Sequence, residues 1–305
     1  MDWLCESKLV RWHAVHEPMR ARAENRWLVS YLALCLGVAW ALGLYGLRSG
    51  IRLDVAADSR GQILAAIIML TPAFSASYVR YRAKRANAAL PEAGVVLAGA
   101  APYIAVWLVV PVLVVSSLAL ATVFGGAHLV PLASLGAGRL ALLLASAASI
   151  NLVVTSLFTF GEEYGWTGLL LPLLLQRGWT PLRAALGYGA IWGIWHWPLI
   201  WAGHNYPHHP WLGSVAMVAL CMASALNQTA LRLRSGSVFV TSFAHACLNS
   251  WSNVALRLFS DVDPLRVGPT GVLGIALLTA SGLWLLVRPA RNMLSTPGTA
   301  RTAPN

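Results

Sequence analysis

Charge is scarce in this chain. Asp, Glu, Lys and Arg together make up 11% of its 305 residues, against about 25% in ordinary soluble domains. Hydrophobic residues make up 57%, and the mean hydropathy is +0.63. This composition excludes an ordinary water-soluble globule and leaves a polytopic membrane protein. Lysine occurs only at Lys8 and Lys84, so nearly all of the 22 basic residues are arginine. Cys5, Cys35, Cys221 and Cys247 show no paired spacing, which excludes a disulfide framework or a zinc ribbon and leaves them as packing residues. There is no repeat with a period of about 20 to 50 residues, no HExxH, and no pair of interrupted helices in matching halves of the kind transporters carry. The formal charge of +11 is scattered in short clusters between apolar runs. It forms no single patch or stripe, so no nucleic-acid partner is expected.

What is present is a series of apolar windows long enough to span a bilayer. They fall near Trp27–Leu47, Gly61–Val79, Gly99–Phe124, Leu140–Leu175, Leu182–Trp201, Trp211–Leu231, Val238–Leu256 and Gly271–Val287. The expected fold is all-α, a polytopic membrane protein with about eight transmembrane helices in one bundle. Leu140–Leu175 is too long for one simple span, and Pro172 argues against a straight helix there. With a cytoplasmic N-terminus, only Arg48, Arg52, Arg60, Arg139, Arg257 and Arg266 fall outside, and the other 16 basic residues lie inside. That distribution obeys the positive-inside rule. Both termini are then cytoplasmic, and the plasma membrane is the expected location. The chain divides into a basic cytoplasmic segment (1–26), N-terminal transmembrane helices (27–139), a core (140–256), a last transmembrane helix (257–288) and a disordered cytoplasmic tail (289–305). The first segment lacks an early apolar run and reads as a lead-in to the first span rather than a cleaved signal peptide.

Against this apolar background a few polar groups stand out. The stretch FGEEYGWTG from Phe160 to Gly168 places Glu162 and Glu163 inside a spanning window, where an ionised carboxylate costs several kcal/mol, about 3 or more. His196 sits in AIWGIWHWPL, and His245 and Asn249 sit in SFAHACLNS. At helical spacing His245 and Asn249 share a face, as do Trp192 and His196. Adjacent Glu162 and Glu163 point about 100° apart, so only one can look straight into a given site. At about 1.5 Å per residue from the nearest inner arginine, Glu162 lies roughly 22 Å from Arg177, His196 about 20 Å from Arg183, and His245 about 16 Å from Arg234. Three helices therefore bring a carboxylate and two imidazoles to a similar depth, as a shared polar cavity would require.

Each group also has a plainer reading. A lone buried histidine is usually a satisfied packing residue, and a glutamate at a helix end can snorkel or cap. The outer loop AGHNYPHHPW, with His204, His208 and His209, reads as a solvated turn. Gly189 and Gly193 form a small-xxx-small pattern that brings helices close. Trp3, Trp12, Trp27, Trp201 and Trp211 suit interfacial belts.

On these residues the chain resembles the CPBP family of intramembrane proteases, also called the CAAX-protease or Abi, bacteriocin-processing family. Its motifs run EExxxR, FxxxH and HxxxN/D in that order. Here they are EEYGWT from Glu162 to Thr167, WGIWH from Trp192 to His196, and HACLN from His245 to Asn249, within a similar region of about Leu140 to Leu256. Thr167 stands where the family has arginine, and Trp192 where it has phenylalanine. The resemblance implies an eight-helix intramembrane endopeptidase that hydrolyses a peptide bond of a membrane-associated or lipid-linked peptide. Glu162, with Glu163 beside it, would activate the water, and His196 would help hold it. His245 and Asn249 would support the oxyanion or position the scissile carbonyl. No cofactor is fixed by this resemblance. A metal variant would place Zn²⁺ on Glu162, His196 and His245. The implied partners are a membrane peptide or protein substrate and the lipid bilayer. Two other readings stand beside it: a catalytically silent relative acting in immunity or membrane-protein assembly, toward which Thr167 points, and a small transporter using Glu162 as a proton relay.

Overall fold

The computed structural model describes residues 21–53, 59–124, 128–129, 136–256, 259–260 and 263–288. The basic stretch 1–20 and the tail 289–305, with the expectations placed on them, lie outside the described residues. Every apolar window becomes helix. The order is α1 (Ala21–Arg48), α2 (Ser59–Met69), α3 (Thr71–Arg85), α4 (Ala100–Val123), β1 (His128–Leu129), α5 (Ala137–Ala148) and α6 (Ile150–Gly165). A π-helical turn (Trp166–Leu170) then leads into α7 (Leu171–Gln176), α8 (Pro181–Trp195), α9 (Trp197–Trp201), α10 (Pro210–Ser235), α11 (Val238–Leu256), β2 (Phe259–Ser260) and α12 (Val272–Val287). The two short strands pair antiparallel, His128 opposite Ser260 and Leu129 opposite Phe259. The protein is an all-helical polytopic membrane bundle. Among the described residues five stretches are long and apolar enough to cross a membrane by themselves: Asn25–Arg48, Ser59–Arg85, Ala100–Val123, Ala137–Gln176 and Pro210–Ser235. Helix α4 shows why lipid is the natural surroundings. Ile104, Leu108, Val112 and Val115, at helical spacing, are more than half exposed and form an outward apolar stripe.

Several apolar windows are broken, and prolines mark two of the breaks and the π-helical turn. A proline has no N–H for the carbonyl four residues earlier, and in hydrocarbon that carbonyl needs another donor. Pro72 follows the α2/α3 break, and the Thr71 hydroxyl donates to the Ile68 carbonyl at 2.8 Å. Pro198 separates α8 from α9, and the Trp40 indole donates to the Ile194 carbonyl at 3.2 Å. Pro172 deprives two carbonyls, Gly168 by α-helical and Thr167 by π-helical spacing. Arg80 Nη2 donates to Gly168 at 2.8 Å, and Arg232 Nε to Thr167 at 3.2 Å. The expected trouble in Leu140–Leu175 takes the form of a break at Ser149 between α5 and α6, followed by the π-helical turn.

Helices α8 and α10 form the tightest pairing. A Cβ on Gly189 would lie 2.6 Å from the Met222 Cα, and one on Gly193 would lie 2.4 Å from the Val218 Cα. Only glycine permits this approach. Cys35, Cys221 and Cys247 are buried and unpaired, in keeping with packing roles. Cys5 lies outside the described residues.

Between α3 and α4, residues 88–99 form an irregular strap across one end of the bundle. Arg80 Nη1 donates to the Pro91 carbonyl at 2.8 Å, Arg232 Nη2 to Glu92 at 3.4 Å, and the Val238 N–H to Gly94 at 2.9 Å. The Ser237 hydroxyl donates to the Val96 carbonyl. Gly94 has φ +71°, and a Cβ there would run into Arg232 Nη2 at 2.3 Å.

Candidate functional site

Glu162 from α6, His196 from the α8/α9 break, and His245 and Asn249 from α11 line one cavity of about 320 Å³. Glu163 does not line it. The 100° offset between neighbouring helical residues sends the two carboxylates to different partners, as the spacing predicts. Both are buried, at 3% and 0% exposure. Glu162 faces the cavity, where its Oε2 accepts the Trp192 indole N–H at 2.9 Å. Glu163 turns toward α11. Its Oε1 accepts from His245 Nδ1 at 3.2 Å, and its Oε2 from the Thr167 hydroxyl at 3.0 Å. That hydroxyl lies 2.9 Å from Thr241 Oγ1, also on α11. Thr167, at the position of the family arginine, thus serves the carboxylate as a neutral donor.

The histidine tautomers follow from these contacts. His196 Nδ1 is 2.9 Å from the Trp192 carbonyl, which can only accept, so Nδ1 carries the proton and Nε2 keeps a free lone pair. His245 donates its Nδ1 proton to the Glu163 carboxylate, a pairing that also suits the protonated ring, and its Nε2 makes no contact there. Aromatic walls fix both rings. Trp195 meets His196 edge-on at 4.6 Å between centroids, and Trp192 meets His245 edge-on at 5.1 Å.

The loop histidines need a correction. His208 is exposed and His209 lies 3.3 Å from Asp263, but His204 is half-buried, lines the cavity, and stacks on His196 at 6.3 Å and 9°. Burial holds its pKa below the usual histidine value, which favours the neutral ring. Nothing in the loop sequence announces this, because it depends on the turn that folds 202–206 back over the bundle. Gln228 was also missed, although a signal existed. Met217, Cys221, Ser224 and Gln228 follow 4-3-4 spacing along α10, which puts polar groups on one face of an apolar helix. All four line the cavity. Gln228 is 4% exposed, and its Oε1 has no hydrogen-bond partner.

Glu162, His196 and His245, the set a metal variant would use, do not form one coordination shell in this arrangement. Among the described residues no group of three or more His, Cys, Asp or Glu side chains is gathered closely enough to hold a metal ion. His245 spends Nδ1 on Glu163 and Glu162 spends Oε2 on Trp192, and the donor atoms they keep, with His196 Nε2, are too spread out to share one ion.

The fold and the cavity define a polytopic membrane protein with a buried acid, imidazole and amide site shared by three helices. Residues 145–251 match the Rce1-like family model, described as type II CAAX prenyl endopeptidase Rce1-like. That region contains all five expected site residues. No curated protein matches the chain.

Proposed function

We propose that this protein is an intramembrane endopeptidase that hydrolyses a peptide bond of a membrane-associated or lipid-linked peptide. The observation that carries the reading is the convergence of Glu162, His196, His245 and Asn249 on one cavity. Glu162 keeps Oε1 available for a water while Trp192 holds Oε2 in place. His196 Nε2, a lone-pair acceptor, accepts a hydrogen bond from the water's other O–H and so aims it, while Glu162 takes the one proton that leaves. Attack on the scissile carbonyl places negative charge on its oxygen. Asn249 donates to that oxygen, and His245, backed by the Glu163 carboxylate, donates as the imidazolium. Glu162 then passes the captured proton to the leaving amine. Glu163 and Thr167 act through His245 as positioning residues. Both termini lie in the cytoplasm in this reading, the plasma membrane houses the protein, and the substrate is a membrane peptide.

The test is a comparison of mapped peptide ends in membrane proteomes of cells carrying the native protein or Glu162→Gln. Ends that vanish with the variant support hydrolysis. Thr167 favours a second reading, a silent relative that binds a peptide or assists membrane-protein assembly. A cellular phenotype that survives Glu162→Gln would select it.

A further inference from the structure

The two ends of the cavity differ in a way that bears on where the peptide comes from. Toward the ends of α3, α7 and α10 and the start of α8, the site is shut. Glu163, Thr167, Thr241 and Arg232 are all buried there, and the strap of residues 88–99 is bonded across them by Arg80, Arg232, Ser237 and Val238. This is also the basic end, with Arg80, Arg82, Lys84, Arg85, Arg177, Arg183, Arg232 and Arg234. Arg234 ties it to the end of α12 by donating to the Arg288 carbonyl at 3.0 Å.

The opposite end is a rim of loops. Asn205 and Asn253 are exposed and line the cavity, as do His204, Pro269 and Thr270. The rim is fastened to itself. Tyr206 donates to the Thr270 carbonyl at 2.8 Å, the Leu53 N–H to Ala202 at 3.0 Å, and His209 faces Asp263 at 3.3 Å. Among the described residues, a peptide reaching Glu162 meets the strap's bonded backbone from one side and exposed, cavity-lining Asn205 and Asn253 from the other.

We propose that the cavity is loaded from the face opposite the arginine-rich one. With basic ends in the cytoplasm, the substrate is a peptide segment presented on the non-cytoplasmic side of the membrane, not a lipid-modified C-terminus offered from the cytoplasm. The assignment rests on the peptidase reading for its chemistry and on the strap and rim for its direction.

Cysteine accessibility in whole cells tests the direction without requiring activity. In a full-length chain with Cys5, Cys35, Cys221 and Cys247 replaced by alanine, the probes are Asn205→Cys, Asn253→Cys and Lys84→Cys. A membrane-impermeant maleimide is added to intact cells or to inverted vesicles. Labelling of the two rim probes in intact cells, and of Lys84→Cys only in inverted vesicles, is the expected result. Asn253→Cys suffices if the positive φ of Asn205 (+55°) keeps that variant from folding. Rim probes that react only in inverted vesicles would overturn the proposal.

Reporters then join direction to chemistry. An outward-facing membrane-tethered peptide should lose its end in a Glu162-dependent way, at least tenfold faster than a prenylated cytoplasmic reporter. The reverse preference overturns the proposal while leaving the peptidase intact. If neither reporter is cut, the peptidase reading and its substrate assignment fall, and the labelling pattern alone decides the side on which the cavity opens.

Discussion

Arg232 on α10 donates its Nε proton to the backbone carbonyl of Thr167, 3.2 Å away in the π-helical turn that follows the helix carrying both glutamates. The carbonyl needs a donor because Pro172 cannot supply one, and the guanidinium fills the gap from a neighbouring helix. Replacing Arg232 with methionine keeps much of the bulk but leaves that carbonyl bare. The expected loss is about 1–3 kcal/mol of stability, the usual cost of an unsatisfied buried polar group. It is read as a lowered Tm in detergent, and Arg80→Met, which strips Gly168, should behave alike.

Thr167→Val tests the neutral donor that stands at the family arginine. The shape is kept while Glu163 Oε2 loses its hydroxyl partner. We expect kcat to fall about tenfold, one hydrogen bond to a charged group being about 1.5–3 kcal/mol, with KM little changed. Rescue by serine would separate loss of the hydroxyl from loss of packing.

Trp192 serves as both wall and donor. Trp192→Phe preserves the aromatic face against His245 but removes the N–H that holds Glu162. A roughly tenfold drop in kcat is expected, while Trp192→Ala should abolish cleavage in a reporter assay.

Gln228 offers a trade between stability and binding. Its carbonyl oxygen is buried without a partner, so Gln228→Leu removes an unmet polar group and should raise stability by about 1 kcal/mol. The same change removes an amide able to pair with a substrate backbone, so KM should rise several-fold. A variant that is both less stable and unchanged in KM would show that Gln228 only packs.

Gly193→Val should separate α8 from α10, since even a first carbon would lie 2.4 Å from Val218. Overpacking of this kind costs about 1–3 kcal/mol. Because His196 follows three residues later, loss of cleavage should accompany the lowered Tm.

Much of this was legible in the sequence because membranes leave few options for backbone and charge. Eight apolar windows announced eight helical regions, and three polar interruptions at matching depth announced a shared cavity. The 100° argument foretold that Glu162 and Glu163 would part company. The breaks at Leu70, Ser149 and His196 were less visible, because a proline shows where a donor is lost but not which distant side chain replaces it. Trp40, Arg80 and Arg232 become meaningful only once the helices are packed. His204 was hidden for a related reason: its position is set by a turn and by Leu53 gripping the Ala202 carbonyl, both remote from any periodicity. Among the described residues no compact metal set forms, and spacing along the chain does not report how far apart packed helices hold their donor atoms.

The neighbouring acids carry a lesson for mutational scanning. One faces the open chamber and the other spends both oxygens on neighbouring side chains, so identical amide replacements one peptide bond apart should sort into opposite phenotypes. Position 162 should yield a well-folded, inert protein, whereas position 163 should yield one whose α6 and α11 drift apart. A deep library scored separately for abundance and for turnover would see the two glutamates as unrelated residues.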